Sequence, residues 1–422
     1  MGMVTCLPGA IHGAGAVPPS KSAAHRALIA AALSGSGRVE GVARSADIDA
    51  TLTGVSALGV TATRAGDTLA FAPAPVPEAP MVDCAESGST LRFLIPLFGA
   101  RGIPTTFVGR GRLPQRPLGV YGDCLPPHGL RLSRADGLPL TIAGQLQAGE
   151  YAVPGDVSSQ FLTGLLFSLP LCAGDSVLRL TTPLESAGYV DMTLRTLRQA
   201  GIVIHDRPDG WEIPGGQSYR PVTHVVEKDW SQAAFFLAAG AISGQVCLHG
   251  LDEQSAQGDK EIVPLLRRFG ADIRATERGI ECRRARLHGI TIDAAQIPDL
   301  VPILSVVAAY AHGETRIVGA ARLRIKESDR LTAMANALRR VGVSVTEQPD
   351  GLTIRGGKPL RGGLVQGCND HRIVMSMAVA ATGSVHAISV TDAESVNKSW
   401  PTFFEDFRMI GGQTIWHQAY LF

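Results

Sequence analysis

A polar, cap-forming cluster that runs into small and apolar residues recurs along this chain at Ser20, Glu86, Ser158, Asp229, Asp299 and Asp370, in steps of 66, 72, 71, 70 and 71 residues. A second series keeps the same period. Gly59, Gly129, Gly201, Gly270, Gly342 and Gly411 close amphipathic segments in steps of 70, 72, 69, 72 and 69 residues. Glycine suits the left-handed position that ends a helix, because it has no Cβ to clash there. Hairpin turns are predicted after most of them, at Gly66-Asp67, Asp136-Gly137, Asp209-Gly210, Arg278-Gly279 and Asp350-Gly351. A short strand pattern lies between the two helices of each unit, at 38–42, 105–108, 177–180, 246–248, 315–318 and 385–390, and another precedes each first helix. The period therefore reads as a β-α-β-α-β-β unit of about 70 residues, repeated six times. Ordinary α/β alternation predicts neither the constant step nor the recurring terminal hairpin.

With 422 residues, of which 45% are hydrophobic and 18% charged, the chain can bury a large core divided over two or three domains. The first helix of each unit, for example 235–242 or 303–311, is apolar around its whole circumference, which predicts helices inside and sheets outside. Lys and Arg number 39 against 38 Asp and Glu, so no general electrostatic footprint for nucleic acid or an anionic membrane exists. Any anion must be met locally. The longest apolar runs, such as 300–311, fall well short of the roughly 20 residues that span a bilayer. Residues 1–20 lack a basic n-region, and Cys6 stands where a myristoylation motif needs Ser or Thr. Seven cysteines, each at least 35 residues from the next, form no CxxC pair, and a reducing cytoplasm is the expected location.

The chemistry is expected at the starts of the first helices. A helix N-terminus exposes unpaired N–H groups and the positive end of a dipole, and so can receive phosphate or carboxylate. Ser, Asp and Asn at such starts also serve as plain caps, but capping does not explain the cations Lys21, Arg26, Arg116 and Arg372 at or near them. Lys326-Glu-Ser-Asp-Arg330 is predicted to open the second helix of the fifth unit, with Lys326 and Arg330 on one face and Glu327 beside them. A solvated face with Asp329 pairing is the alternative for that segment. A phosphorylated, carboxylated substrate is the natural partner of so many cations. Gly15-Ala-Val-Pro-Pro-Ser20-Lys21-Ser22 is a phosphate loop lacking its second glycine, and Gly109-Arg-Gly111-Arg-Leu-Pro114 a dinucleotide fingerprint lacking its third. The eleven histidines include no HExxH and no close pair, and no Cys stands at metal spacing from a His, so no cofactor and no metal are expected.

Several ordered segments identify a family. Pro19-Ser-Lys-Ser22 with Arg26, Gln115-Arg-Pro117, Asp156-Val-Ser-Ser-Gln-Phe161, Ser186 with Tyr189, Gly215-Gly-Gln-Ser-Tyr219, Gln257-Gly-Asp259, Ile297-Pro-Asp299, Lys326–Arg330, Asn369-Asp-His-Arg372 and Lys398 resemble, over essentially the whole length, the enolpyruvyl transferases that act on shikimate 3-phosphate. The resemblance implies a two-lobed inside-out α/β barrel built from six βαβαββ repeats, three per lobe. Its lobes would be 20–226, binding shikimate 3-phosphate, and 227–422 plus 1–19, completing the phosphoenolpyruvate site. The crossovers would lie near Pro18-Pro19 and Glu227-Lys228.

The implied reaction moves the enolpyruvyl group of phosphoenolpyruvate to the 5-hydroxyl of shikimate 3-phosphate through a tetrahedral intermediate, without cofactor. It implies catalytic roles for Asp299 at the hydroxyl proton, Glu327 at C3 of phosphoenolpyruvate, and Lys21. Shikimate 3-phosphate would be bound by Lys21, Ser22, Arg26, Ser158, Ser159, Gln160, Ser186, Asp299 and Lys326, and phosphoenolpyruvate by Lys21, Gly88, Arg116, Gln160, Arg330, Arg372 and Lys398. The partners implied are these small molecules alone, with no nucleic acid and no membrane, acting on a monomer. Glu86 and Arg322 replace the asparagines commoner in the family, and Ser89 and Phe93 are expected to reshape the phosphoenolpyruvate pocket.

The sister enzymes acting on UDP-N-acetylglucosamine carry a reactive Cys on the loop before the Arg-Pro pair. Here Gly109–Arg116 has none, and Cys124, the nearest, reads as a buried structural thiol. A ring-shaped nucleic-acid clamp would need a basic inner surface, which the charge balance disfavours. The resemblance also implies that the lobes close over their substrates. Small-angle scattering of the free and the doubly liganded protein should therefore differ in compactness, and superimposable profiles would sink that expectation.

Overall fold

The structure is a computed structural model that describes residues 2–417; residue 1 and residues 418–422, at the ends of the second predicted lobe, lie outside the described residues. The chain divides into two units, Pro19–Glu227, and Met1–Pro18 together with Lys228–Phe422. Each holds three four-stranded sheets and its own apolar core.

The second repeat shows the pattern. Strand Met81–Asp83 leads into helix Gly88–Ala100, strand Thr105–Val108, the short helix Gly119–Cys124, and the strands Leu130–Leu132 and Leu140–Gly144. The first two strands pair in parallel and the fourth lies antiparallel between the second and third. All six sheets follow that order, but the chain ends are shared out unexpectedly. Strand His12–Ala16, which precedes helix Lys21–Leu33 in sequence, pairs in parallel with Gln245–His249, and both strands belong to the unit that helix does not. Thr223–Val225, which precedes helix Trp230–Ser243, pairs with Arg38–Glu40. Met3–Leu7 fills the fourth-strand place of the sixth repeat, between Ile388–Val390 and Gln413–His417. Two repeats thus take their first strand from a distant part of the sequence.

The first helices are the cores. Every residue of Trp230–Ser243 is buried, and so is every residue of Val301–Tyr310 but the last. Second helices such as Ala187–Gln199 and Ile262–Phe269 bury only one side. All six period-setting glycines have positive φ, from +80° at Gly201 to +101° at Gly411, as helix ends of that kind require. Turns fall one residue earlier than predicted in three hairpins, because Gly210, Gly279 and Gly351 begin the returning strand. Between Leu132 and Leu140 the turn is a longer loop.

Side-chain oxygens of Ser20, Ser158, Asp229 and Asp370 cap their helices as expected. Two starts differ. Ser87, not Glu86, caps Gly88–Ala100, accepting from Thr90 N at 3.2 Å. Asp299 caps nothing: it lies in a 3-10 turn, Pro298–Leu300, that runs into Val301–Tyr310, and its carboxylate is taken by cations instead.

Within Pro19–Glu227 the helices Gly88–Ala100 and Ser159–Ser168 approach closely at Gly164. Tyr121 Oη there donates to Arg92 O at 2.6 Å and lies 3.1 Å from Phe161 O. A Cβ at 164 would fall inside contact distance of both the tyrosine hydroxyl and the Arg92 carbonyl. Alanine ordinarily gains about 1 kcal/mol over glycine in a helix, yet overpacking against backbone costs roughly 1–3 kcal/mol. Gly164→Ala should therefore lower the denaturant midpoint despite the better helix former, and an unchanged or raised midpoint would contradict this packing.

Candidate active site

In the Pro19–Glu227 unit, three of the expected residues share the first turns of helix Lys21–Leu33. Lys21 Nζ pairs with Asp47 at 2.7 Å. Arg26 is 2% exposed, and its guanidinium donates to Ser22 O, Tyr189 O and the hydroxyls of Thr163 and Thr193. Burial pulls it down to about 10, against the opposing pull of Tyr189. Its partners are all neutral oxygens, and no carboxylate pairs with it among the described residues. A buried cation held by neutral oxygens keeps its full charge.

Gln160 has its amide orientation fixed from both sides. Arg92 Nη1 donates to Oε1 at 2.7 Å, and Nε2 donates to Ser89 Oγ at 3.0 Å. The same Arg92 reaches Pro117 O at 2.9 Å, so one buried side chain ties Gln160 to the Arg116-Pro117 segment. Gly88 faces Arg116, whose Nη1 would lie 2.7 Å from a Cβ at that position. Ser158 Oγ accepts the capping bond from Gln160 N, Ser159 is the first helical residue, and Ser186 starts Ala187–Gln199 in a left-handed conformation. That last helix supplies the Tyr189 and Thr193 oxygens to Arg26. Of the divergent residues, Glu86 lies against Gly111, and Phe93 is buried edge-on to His25. Burial pushes the Cys124 thiol up to about 12, as a structural cysteine requires.

In the other unit Asp299, Lys326, Glu327, Arg330 and Arg372 form one cluster. Asp299 accepts from Arg330 Nη1 at 3.0 Å and Arg372 Nη2 at 2.9 Å, with Lys326 Nζ at 3.9 Å. Arg330 also reaches Glu327 and the fully buried Asp370, each at 2.8 Å. Arg372 reaches Ser231 Oγ at 2.9 Å, so the starts of three inner helices meet on one guanidinium. Lys398 Nζ donates to Asn369 O at 2.6 Å. Lys326 does not share a helix face with Arg330, contrary to expectation. The helix is Arg330–Arg340, capped by Asp329, and Lys326 ends the preceding 3-10 turn Ala321–Ile325. Asp329 pairs with Arg324. Arg322 is buried, with Nη2 2.5 Å from Ala295 O.

Burial by itself would raise the Asp299 pKa, but Arg372, Lys326 and Arg330 overcome it and hold the carboxyl well below the usual range. The group is therefore ionised, its charge held by the surrounding cations. Burial lowers Lys326 to about 8 against the pull of Asp299, with Arg330 adding to the drop. The left-handed non-glycine residues Ala85, Ser186, Cys368, Asn369 and Asp392 all flank segments named above, or lie beside them. Such backbone costs about 1–3 kcal/mol each where the surroundings impose it.

Sequence reasoning missed Asp47, Arg92, Thr163, Thr193 and the role of Asp370. Arg92 alone carried a signal, a cation inside the otherwise apolar Leu91–Leu97 stretch. The others are ordinary helix residues until folded.

A family model described as EPSP synthase (3-phosphoshikimate 1-carboxyvinyltransferase) matches residues 7–407. The chain belongs to this family. It is 42% identical to the 3-phosphoshikimate 1-carboxyvinyltransferase of Clostridium novyi, with 97% of each chain covered, and 44% identical to that of Clostridium acetobutylicum, with 96% of each covered. Among solved structures it is similar to the EPSP synthase of Acinetobacter baumannii, at a TM-score of 0.83 and 26% identity over 99% of this chain and 100% of that one. The enolpyruvyl transferase NikO from Streptomyces tendae matches at 0.79 and 17% identity over 99% of both, a likeness of fold alone. The fold is thus the two-lobed inside-out α/β barrel of the EPSP synthase family. Among the described residues no helix is long and apolar enough to cross a membrane.

The lowered Lys326 yields a pH dependence. An ammonium with a pKa near 8 loses its charge as pH rises through that value, so its hold on an anion weakens on the alkaline side. If Lys326 meets 3-phosphoshikimate, as the resemblance implies, calorimetric affinity for that ligand should fall between about pH 7 and 9, and Lys326→Arg should flatten the profile, since arginine stays charged throughout. A flat profile in the unmodified protein would remove Lys326 from that contact.

Proposed function

We propose that this protein transfers the enolpyruvyl group of phosphoenolpyruvate to the 5-hydroxyl of shikimate 3-phosphate, giving 5-enolpyruvylshikimate 3-phosphate and phosphate on the route to chorismate and the aromatic amino acids. The observation that carries the reading is the Asp299 cluster, where an ionised carboxylate stands among cations with a second carboxylate, Glu327, on the shared Arg330.

The chemistry uses those groups in sequence. The 5-hydroxyl oxygen attacks C2 of phosphoenolpyruvate as its proton passes to Asp299, while Glu327, entering the step in its carboxylic acid form, protonates C3, leaving a tetrahedral intermediate. Elimination returns the C3 proton to Glu327 and expels phosphate, which carries away the second proton. Arg330, Arg372 and Lys398 suit the carboxylate and phosphate of phosphoenolpyruvate, since a guanidinium grips either through two parallel hydrogen bonds, and Arg116 in Pro19–Glu227 suits the same groups. Arg26, Ser22, Ser158, Ser159 and Ser186 suit shikimate 3-phosphate, Lys21 and Gln160 serve both substrates, and Lys326 joins the acceptor side. Gly88 leaves room for Arg116 that any side chain would take.

Phosphate release decides the matter. It should appear when phosphoenolpyruvate is mixed with shikimate 3-phosphate and not when UDP-N-acetylglucosamine replaces the acceptor; the reverse pattern would move the protein to the sister activity. Asp299→Ala and Glu327→Ala should each lower turnover by roughly a hundredfold or more, the usual scale for a positioned acid or base. Near-normal turnover in either variant would strip that residue of its role.

A further inference from the structure

We propose that Thr163 and Thr193 are positioning residues for the phosphorylated acceptor: their paired hydroxyls aim the Arg26 guanidinium and leave one of its N–H groups to the ligand. The assignment rests on the functional reading above and adds two residues that touch no substrate.

Donor accounting carries it. Thr193 Oγ1 lies 3.0 Å from Tyr189 O and donates there, so it receives from its other two neighbours, Arg26 Nε at 2.8 Å and Thr163 Oγ1 at 2.9 Å. The Thr163 proton therefore points at Thr193, and a lone pair of Thr163 faces Arg26 Nη2 at 3.3 Å. Both hydroxyls turn their lone pairs to the cation and their protons away from it. Arg26 Nη2 also donates to Tyr189 O at 2.8 Å, and Nη1 to Ser22 O at 2.7 Å. A guanidinium carries five N–H donors. Those four bonds leave the second N–H of Nη1 beside Ser22, at the start of the Lys21–Leu33 helix.

The choice of neutral oxygens matters. A carboxylate in place of either threonine would hold Arg26 as firmly but would cancel its charge and compete with an incoming phosphate or carboxylate. Hydroxyls fix the direction and keep the charge. The rings of Phe93 and Tyr189 lie 5.3 and 6.0 Å from Arg26 Cζ and hold the cation without offering an anion.

Calorimetric affinity for shikimate 3-phosphate tests this on the full chain. Thr193→Val keeps the shape, removes the acceptor and leaves a buried Arg26 donor unpaired, so affinity should fall roughly tenfold, the scale of one hydrogen bond to a charged group. Thr193→Ser should retain near-normal affinity, and KM for phosphoenolpyruvate should stay unchanged in both. In an Arg26→Ala background Thr193→Val should add no further loss, because the threonine acts only through the arginine. Should Thr193→Val not fold, Thr163→Val carries the same comparison. Unaltered affinity in the valine variants, a serine variant as weak as valine, or an additional loss without Arg26 would each overturn the proposal. Failure of the unmodified protein to bind shikimate 3-phosphate would overturn the functional reading itself, which the variants alone cannot do.

Discussion

Helices that are apolar on every side leave a chain few places for polar groups. The inner helices Trp230–Ser243, Val301–Tyr310 and His371–Thr382 of one unit, and Gly88–Ala100 and Ser159–Ser168 of the other, are sealed along nearly their whole length, so charge and hydrogen-bonding capacity collect at their N-termini, where the backbone already exposes unpaired N–H groups. Arg372 shows the result. From the start of its own helix it reaches Ser231 and Asp299 at the starts of two others. In the Pro19–Glu227 unit Gln160 reaches Ser89 in the same manner. Left-handed Ala85, Cys368 and Asn369, beside two of these starts, fit the same constraint, since a chain that must turn sharply into a buried helix strains where it enters.

The two units handle buried charge differently. Around Arg330 three carboxylates converge, and Asp299 in turn collects Arg372 and Lys326, so each charge is desolvated only in company. Around Arg26 there is no carboxylate, only hydroxyl and carbonyl oxygen. Buried ion pairs seldom repay their desolvation in stability, and a lone buried cation never does so without a partner. Both arrangements make sense as sites prepared for anions and proton transfer rather than as contributors to folding.

Much of this was legible beforehand, and the misses share a cause. Caps and helix-ending glycines are local devices, readable within four residues of sequence, and Ser20, Ser158, Asp229, Asp370 and all six glycines sit as expected. Asp299 broke the rule because its carboxylate has stronger partners, 31 and 73 residues away, than a local N–H. Lys326 was assigned to a helix face on spacing alone, while Asp329 was the better cap and began the helix later. Thr163 and Thr193 carry no mark in the sequence, being threonines in helices like many others.

The sequence by itself determined the repeat, the helix ends, the inward burial of the first helices and the identity of most charged residues at their starts, because periodicity, φ and apolarity are properties of short stretches. Only the tertiary structure decided which strand completes which sheet and which oxygen holds which cation. His12–Ala16 precedes one inner helix and yet pairs beside another, since a strand joins whichever edge is open in space. The carboxylates around Arg330 and the hydroxyls around Arg26 are likewise brought together from distant segments, and the energy of a buried charge depends on that company rather than on its neighbours along the chain.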